Sequence, residues 1–150
     1  MHCSNPVHIM RLVEIVPHAG TDAAVTAAVS DTARRMGKEP ILVRDTPGFA
    51  TSRLGVVLGL EAMRMVEQGG ASPEDIDKAM ELGYGHPMGP LKVTDLVGLD
   101  VRLAIADHLY SQFKDERYAA PEVLRRKVLA GELGKKSGKG FYDYGDQLNS

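Results

Sequence analysis

Residues 49–68 read FATSRLGVVLGLEAMRMVEQ, and this stretch decides the fold that we expect for the chain. Its large apolar side chains cannot share one narrow face of a helix, because they stand at positions 54, 56, 57, 58, 60, 63, 65 and 66. A helix that is apolar around most of its circumference is usually buried in a core or in a subunit interface. We therefore predict a mainly α-helical fold centred on this helix, and a homodimer whose interface includes residues 54–66.

Four shorter helices are predicted to follow the long helix. Gly69 and Gly70 end it, and Ser72 and Pro73 then supply an N-cap and a favourable first-turn residue. The segment GYGHPMGP at 83–90 is rich in glycine and proline and is therefore predicted to be a loop. The helices predicted after residue 68 span 73–83, 91–97, 100–113 and 121–130.

Two short strands are predicted in the N-terminal third. Residues 7–16, VHIMRLVEIV, and residues 40–44, PILVR, are rich in β-branched side chains. A pair of strands is marginally stable by itself. We therefore expect a residual β segment that belongs to a sheet whose other strands are not in this chain.

A helix and a turn complete the N-terminal third. Thr21 is a good N-cap for an alanine-rich helix over 23–36, which Gly37 ends. The sequence DTPG at 45–48 is a predicted turn that leads into the long helix.

The composition is that of an ordinary soluble globular protein, since 43% of the 150 residues are hydrophobic and 25% are charged. The net charge of −2 gives no electrostatic reason to expect nucleic acid or an anionic membrane surface as a partner. The longest apolar stretch, 54–66, is too short to span a bilayer and contains Glu61 and Arg64.

The single cysteine, Cys3, excludes an internal disulfide framework and fits a reducing compartment. Cys3 lies near His2 and His8, but a metal site needs more ligands at suitable spacing, so no metal is expected. The N-terminus also lacks the basic and then apolar run of a secretory signal. We expect a cytoplasmic location.

Two glycine-rich segments resemble nucleotide-binding loops but fail their spacing rules. GKKSGKG at 134–140 lacks the four residues between the first two glycines of a P-loop, and on composition it is predicted to be a solvated surface loop. GYGHPMG at 83–89 has the wrong spacing for a dinucleotide fingerprint and follows a helix instead of a strand. We therefore expect the isolated chain to bind a dinucleotide very weakly or not at all.

His2 and Glu14 are the pair of residues suited to general-base catalysis. A histidine held by a carboxylate can take a proton from an alcohol, while the carboxylate fixes the tautomer and stabilises the imidazolium. Spacing alone leaves a second interpretation open: a histidine at position two is more often disordered, and a glutamate in a strand more often faces solvent.

Six segments occur in an order that resembles the 3-hydroxyacyl-CoA dehydrogenase family over nearly the whole chain. Each segment is weakly specific by itself, but six in register are strongly specific. They are HCSNPVHIMRLVEIV (2–16), DTPGFATSRL (45–54), ASPEDIDKAM (71–80), LGYGHPMGP (82–90), DLVGLD (95–100) and KKSGKGFY (135–142).

The resemblance implies roles for five residues of this chain. His2 matches the histidine that acts as general base for the 3-hydroxyl group, and Glu14 matches the glutamate that orients it. Ser52 stands where the family has an asparagine that positions the substrate oxygen. Asn5 matches an asparagine near the nicotinamide, and Lys136 matches a basic residue of a C-terminal loop that approaches the cofactor.

The resemblance also implies the setting of the chain. Residues 1–45 correspond to the end of an NAD-binding domain, and residues 46–150 to the helical domain for dimerisation and substrate binding. The implied reaction is oxidation of a 3-hydroxyacyl-CoA, or 3-hydroxybutyryl-CoA, to the ketone with NAD, in fatty-acid or butanoate metabolism. Because NAD is bound mainly by a domain absent from this chain, we expect the chain to be inactive alone.

Two positions depart from the family pattern. Cys3 and Ser4 replace two aromatic residues, and Ser52 replaces the asparagine. Serine can still donate a hydrogen bond, but its side chain is shorter. Two alternative hypotheses remain: a dimerisation or acyl-CoA-binding module without chemistry, and the helical subunit of a split enzyme whose NAD domain is a separate chain.

Overall fold

The computed structural model describes residues 1–4 and 7–145, which form two compact units. The first unit spans Met1–Thr51, and we call it the sheet unit. The second spans Ser52–Ser150, and we call it the helical unit. The predicted mainly α-helical fold with a short β segment is confirmed.

The sheet unit contains three short strands in the order β1-β2-β3 and one helix. The central strand β2 pairs antiparallel with β1 and parallel with β3, and the register places His2 opposite Glu14. Val13, Ile15 and Ala33 form its small core. The elements are β1 (His2–Cys3), β2 (Leu12–Ile15), α1 (Ala23–Arg35) and β3 (Glu39–Leu42).

Three details of this unit differ from the sequence prediction. The strand predicted over 7–16 is confined to β2, because residues 7–9 form a turn and Lys38 Nζ binds the carbonyl oxygens of Val7 and Met10. The two-residue strand β1 was not predicted, since so short a strand has no periodicity of its own. The N-cap of α1 is Asp22 instead of Thr21, and its carboxylate accepts from the N–H of Ala24 at 2.7 Å.

The described residues of the helical unit form five α-helices around one hydrophobic core. The core is formed by buried residues of all five helices, among them Leu60, Ile76, Leu91, Leu109 and Leu124. The helices are α2 (Thr51–Glu67), α3 (Pro73–Tyr84), α4 (Pro90–Val97), α5 (Leu99–Phe113) and α6 (Glu122–Leu129). None of the described helices has the length and apolarity needed to cross a membrane.

The predicted helices agree with these bounds to within two residues at each end. Helix α3 continues past the predicted stop at Gly83 to Tyr84, because Gly85 adopts a left-handed conformation with φ of 71° and caps it. Helix α2 buries Val56, Leu60 and Met63, whereas Leu54 is 71% exposed. The long helix is therefore apolar on both a buried and an exposed face, as its sequence indicates.

Two buried carboxylates hold the C-terminal segment on the helical unit. Asp95 accepts hydrogen bonds from the N–H groups of Phe141 and Tyr142, both at 2.9 Å, and Asp77 accepts from the hydroxyl of Tyr142 at 2.8 Å. A Cβ on Gly140 would lie 2.1 Å from an oxygen of Asp95, so only glycine permits this approach. The glycine-rich tail is therefore more than the solvated loop that its composition predicted: its lysines are exposed, but its glycines at 134, 138 and 140 are buried.

Candidate functional site

The imidazole of His2 and the carboxylate of Glu14 form a hydrogen-bonded pair across the β1–β2 ladder. His2 Nδ1 lies 2.9 Å from Glu14 Oε2, and the two residues are register partners on neighbouring strands. The Glu14 side chain is 1% exposed, whereas that of His2 is 40% exposed. The carboxylate is therefore fixed inside the sheet unit while the imidazole reaches solvent.

Glu14 receives three further hydrogen bonds from the segment that follows β3. The N–H groups of Ala50 and Thr51 donate to Oε1 at 2.9 and 3.0 Å, and the Thr51 hydroxyl donates to Oε2 at 2.8 Å. A tight turn aims these donors, because Gly48 and Phe49 have φ values of 76° and 47°. Left-handed backbone is costly for a residue with a side chain, so the conformation of Phe49 must be held by the surrounding contacts.

These contacts keep Glu14 ionised. Burial acts to raise the pKa of Glu14, but the hydrogen bonds from Thr51, His2 and Ala50 outweigh it, so the pKa lies below its usual value. A carboxylate can accept but not donate when ionised. Glu14 therefore accepts a hydrogen bond from Nδ1–H of His2, which leaves Nε2 as the ring nitrogen without a proton.

The Nε2 atom of His2 is free to act on a ligand. Among residues 1–4 and 7–145, none donates to or accepts from it. The ring of Phe49 lies beside the imidazole, with the two centroids 5.3 Å apart at an interplanar angle of 54°. The arrangement has the parts of a general base: an exposed basic nitrogen, a fixed tautomer and a buried counter-charge for the imidazolium.

Of the other predicted site residues, Ser52 and Lys136 belong to the helical unit. Ser52 is the second residue of α2 and is partly exposed. Asn5 lies outside the described residues. Lys136 lies in a short 3₁₀ turn of the C-terminal segment, Lys135–Ser137, where its Nζ is 2.6 and 2.7 Å from the two carboxylate oxygens of Asp100.

Sequence reasoning missed the residues that support the predicted ones. Thr51, which makes two of the four hydrogen bonds to Glu14, carried no signal, because a threonine at a helix start is common. Asp100 was part of the matched segment 95–100 but was not predicted as a site residue. Its pairing with Lys136 of the matched segment 135–142 could have been suggested by their opposite charges. The ion pair from Lys136 lowers the pKa of Asp100 below its usual value.

Comparison with known proteins assigns the chain to a family. Residues 48–144 match the 3-hydroxyacyl-CoA dehydrogenase C-terminal domain, and residues 1–46 match the NAD-binding domain of the same dehydrogenases. This chain belongs to the 3-hydroxyacyl-CoA dehydrogenase family. The resemblance inferred from the six sequence segments is thus confirmed.

Three relatives illustrate the match. The 3-hydroxybutyryl-CoA dehydrogenase of Mycobacterium tuberculosis is 47% identical over 145 residues, which cover 96% of this chain and 51% of that protein. The mitochondrial hydroxyacyl-coenzyme A dehydrogenase of Homo sapiens is 41% identical, covering 96% of this chain and 46% of that protein. The crystal structure of (S)-3-hydroxybutyryl-CoA dehydrogenase PaaH1 from Ralstonia eutropha superposes with a TM-score of 0.90 at 42% identity, covering 96% of this chain and 51% of that one. The chain thus spans about half the length of the curated relatives it matches.

The described residues do not provide a complete dinucleotide site. Between β1 and β3 no strand leads through a glycine-rich turn into a helix, so this part of the chain has no cradle for a pyrophosphate. Of the loop predicted over 83–90, residues 85–89 do form a loop, whereas residues 83 and 84 end α3 and Pro90 begins α4. The described residues do contain a histidine and a buried carboxylate in hydrogen-bond contact, His2 and Glu14.

Proposed function

We propose that this chain supplies the proton-accepting half of an NAD-dependent 3-hydroxyacyl-CoA dehydrogenase, with His2 as general base and Glu14 as its orienting carboxylate. The observation that carries the proposal is the 2.9 Å contact between His2 Nδ1 and a Glu14 carboxylate that is 1% exposed. A buried, four-fold hydrogen-bonded carboxylate beside a half-exposed imidazole is an unusual arrangement for a purely structural ion pair.

The chemical step needs one proton acceptor from this chain. His2 Nε2 takes the proton of the 3-hydroxyl group as the C3–O bond becomes a C=O bond, and a nicotinamide bound by another domain would accept the hydride released from C3. The imidazolium that results is stabilised by the Glu14 carboxylate, which the N–H groups of Ala50 and Thr51 hold in place. Ser52 donates a hydrogen bond to the substrate oxygen, and Asn5 and Lys136 are the proposed cofactor-binding residues.

We further propose that the chain acts as a homodimer through helix α2. The exposed face of this helix carries Leu54, and a shallow apolar groove of about 260 Å³ adjoins it. A continuous apolar surface of this kind favours a self-complementary interface. The groove is lined by Leu58, Glu61, Ala62, Met65, Ile76, Ala79, Met80 and Pro90.

Light scattering at high micromolar concentration tests the dimer. We expect twice the mass of the chain, and a monodisperse monomer would contradict the proposal. A Leu54→Glu variant should shift the equilibrium to monomer, because it buries a charge in the interface. Leu129→Glu is the matched control, since Leu129 is 86% exposed at the end of α6, away from the groove.

A fusion with an NAD-binding half tests the activity. The NAD-binding half of the Mycobacterium tuberculosis relative is fused ahead of residue 1, and NADH formation is followed at 340 nm with (S)-3-hydroxybutyryl-CoA. We expect turnover that depends on both halves. A fusion that binds NAD and acyl-CoA without any turnover would favour a binding module, and turnover by the two halves mixed as separate chains would favour a split enzyme.

A further inference from the structure

Phe49 has a backbone conformation that residues with side chains disfavour. Its φ is 47°, in the left-handed region, and among residues 1–4 and 7–145 the only other residue with a side chain and a positive φ is Lys114. The β-carbon crowds the backbone in that region, so glycine and asparagine enter it more readily than a bulky aromatic residue does. Strain of this kind persists only where the surrounding structure holds it, and it is concentrated at functional sites.

Core packing and helix capping do not explain the strain at Phe49. The residue is partly exposed, and within the described chain it belongs to neither hydrophobic core. The aromatic partner of its ring is the imidazole of His2, with the centroids 5.3 Å apart. Lys114 differs, because it caps the C-terminal end of α5, where a left-handed residue is common. The conformation of Phe49 therefore needs an explanation in its contact with His2.

Phe49 bears on both members of the His2–Glu14 pair. Its ring lies against the imidazole, and its backbone sets the direction of the next two residues, whose N–H groups donate to Glu14 at 2.9 and 3.0 Å. Its own N–H donates to the carbonyl oxygen of Thr46 at 2.9 Å, which closes the turn. One strained residue thus joins the support of the carboxylate to the support of the imidazole.

We propose that Phe49 is a positioning residue for the general base, and that the fold is less stable at this turn because the turn places the ring against His2. This inference rests on the proposed function, in which His2 Nε2 accepts the proton of the substrate. Rotation of the imidazole about its Cβ–Cγ bond would break the contact with Glu14 and turn Nε2 away from the substrate. The ring of Phe49 restricts that rotation.

The expected effect on turnover follows from the fraction of time that the base is correctly oriented. An imidazole that is correctly oriented for about a tenth of the time lowers kcat about tenfold, because the chemical step requires aligned reacting atoms. The substrate is bound by other groups in either orientation. The loss should therefore fall on kcat and leave KM nearly unchanged.

The decisive variant is Phe49→Gly, which relaxes the backbone and removes the ring together. Glycine adopts a φ of 47° without crowding, so we expect the melting temperature of the 150-residue chain to stay the same or to rise. In the fusion with an NAD-binding half, we expect kcat to fall about tenfold with little change in KM. A residue kept only for packing would behave in the opposite way, since its loss would lower the melting temperature and leave the kcat of the folded enzyme unchanged.

Three further variants assign the effect to the ring. Lys114→Gly makes the same backbone change at a φ of 52° on α5, and it should keep or raise the melting temperature without changing kcat. Phe49→Tyr retains an aromatic ring and should restore the kcat and melting temperature of the unmodified chain. Phe49→Asn removes the ring with a residue that tolerates the left-handed region, and it serves as a second relaxed variant should glycine loosen the turn.

A spectroscopic measurement on the 150-residue chain reports the orientation of His2 directly. Relaxation of the ¹³C nucleus of its imidazole Cε1–H group gives an order parameter, and the ¹⁵N shifts of the ring give the tautomer. In the unmodified chain we expect a rigid imidazole with its proton on Nδ1. Phe49→Gly should lower the order parameter and mix the tautomers, whereas Phe49→Tyr and Lys114→Gly should change neither.

Three outcomes overturn the proposal. The first is an unchanged kcat in the Phe49→Gly fusion, and the second is a lower melting temperature in both Phe49→Gly and Phe49→Asn. The third is an imidazole of His2 that is equally rigid with and without the ring. A fusion without turnover, alongside an imidazole that loosens in Phe49→Gly, would reject the proposed function alone. An active fusion whose kcat does not respond to Phe49→Gly would reject this inference alone.

Discussion

The two units of this chain use buried carboxylates in different ways. Glu14 in the sheet unit accepts two backbone N–H groups and a hydroxyl, and its remaining contact is with an imidazole that is 40% exposed. Asp95 in the helical unit accepts two backbone N–H groups and the hydroxyl of Tyr144, all from one structural segment. The networks are similar in size, but the Glu14 network ends on an imidazole and the Asp95 network on a phenol.

The difference suggests what makes a buried carboxylate functional. Desolvation by burial raises the pKa of Asp95 even against its hydrogen bonds, whereas the hydrogen bonds of Glu14 outweigh burial and lower its pKa. Asp95 therefore serves to hold the C-terminal segment, whereas Glu14 stays charged beside the imidazole of His2. The following predictions separate these two roles.

Replacing His2 should produce the largest effect, and only on catalysis. In the fusion with an NAD-binding half, His2→Ala is expected to lower kcat by about 10²–10⁴-fold with little change in KM, because the base acts on a proton that moves in the transition state. Steady-state NADH formation measures both constants. His8→Ala, an exposed histidine of the same unit, should keep normal turnover. Near-normal turnover by a folded, NAD-binding His2→Ala fusion would reject the assignment.

Replacing Asp95 should affect stability instead. Asp95→Asn removes the charge that two backbone N–H groups and Tyr144 share, and we expect a loss of about 2–3 kcal/mol in the free energy of unfolding. Urea denaturation of the 150-residue chain gives this value. Asp143→Asn, an exposed acid of the same segment, should change it by no more than about 0.5 kcal/mol. Equal losses in the free energy of unfolding for Asp95→Asn and Asp143→Asn would mean that the buried carboxylate of Asp95 stabilises the fold no more than an exposed one.

The course of the fold was predictable where local patterns were strong. Helix α2 is specified by its apolar residues and the glycines that follow, and α3 by Ser72, whose hydroxyl accepts from the N–H of Asp75. The strand β1 and the turn at 7–9 were missed because they depend on partners distant in sequence: β1 on β2, and the turn on Lys38. Local periodicity contains no information about such contacts.

The site was predictable only through resemblance to the family. Twelve positions separate His2 and Glu14, and a strand prediction over 7–16 gives no reason for the two to meet. The antiparallel register between β1 and β2 brings them together, and the positive φ of Phe49 turns the donors of Ala50 and Thr51 towards the carboxylate. The burial of Arg102 on α5 was not predicted, because a single arginine in a helix normally faces solvent and its burial depends on the packing of other helices.

Glu14→Gln should give a smaller catalytic loss than His2→Ala. The amide keeps the shape of the side chain but removes the charge that favours the imidazolium, and we expect a reduction in kcat on the order of tenfold. The double variant His2→Ala with Glu14→Gln should lose less than the product of the two single effects, since the carboxylate has no role once the imidazole is gone. Steady-state kinetics of the four fusions complete this cycle, and strict multiplicativity would mean that the two residues act independently.

Glu132 is a carboxylate near the surface, and replacing it should have the smallest effect on stability. Its two oxygens lie 2.8 Å from the ammonium groups of Lys127 and Lys139, and its side chain is 24% exposed. The hydrogen bonds from Lys127 and Lys139 lower the pKa of Glu132 from 4.5 to about 2. Because the folded pKa lies below the unfolded one, the contribution to stability is complete above pH 4.5 and disappears as the pH falls towards 2.

The melting temperatures of the unmodified chain and of Glu132→Gln should therefore differ at about pH 6 and converge between pH 4.5 and 2. The difference at about pH 6 should also shrink in about 1 M salt, because partly exposed ion pairs are screened. Glu122→Gln, an exposed acid on α6, should show no comparable convergence. A difference in melting temperature that persists at pH 2 would mean that Glu132 contributes to stability through packing instead of charge.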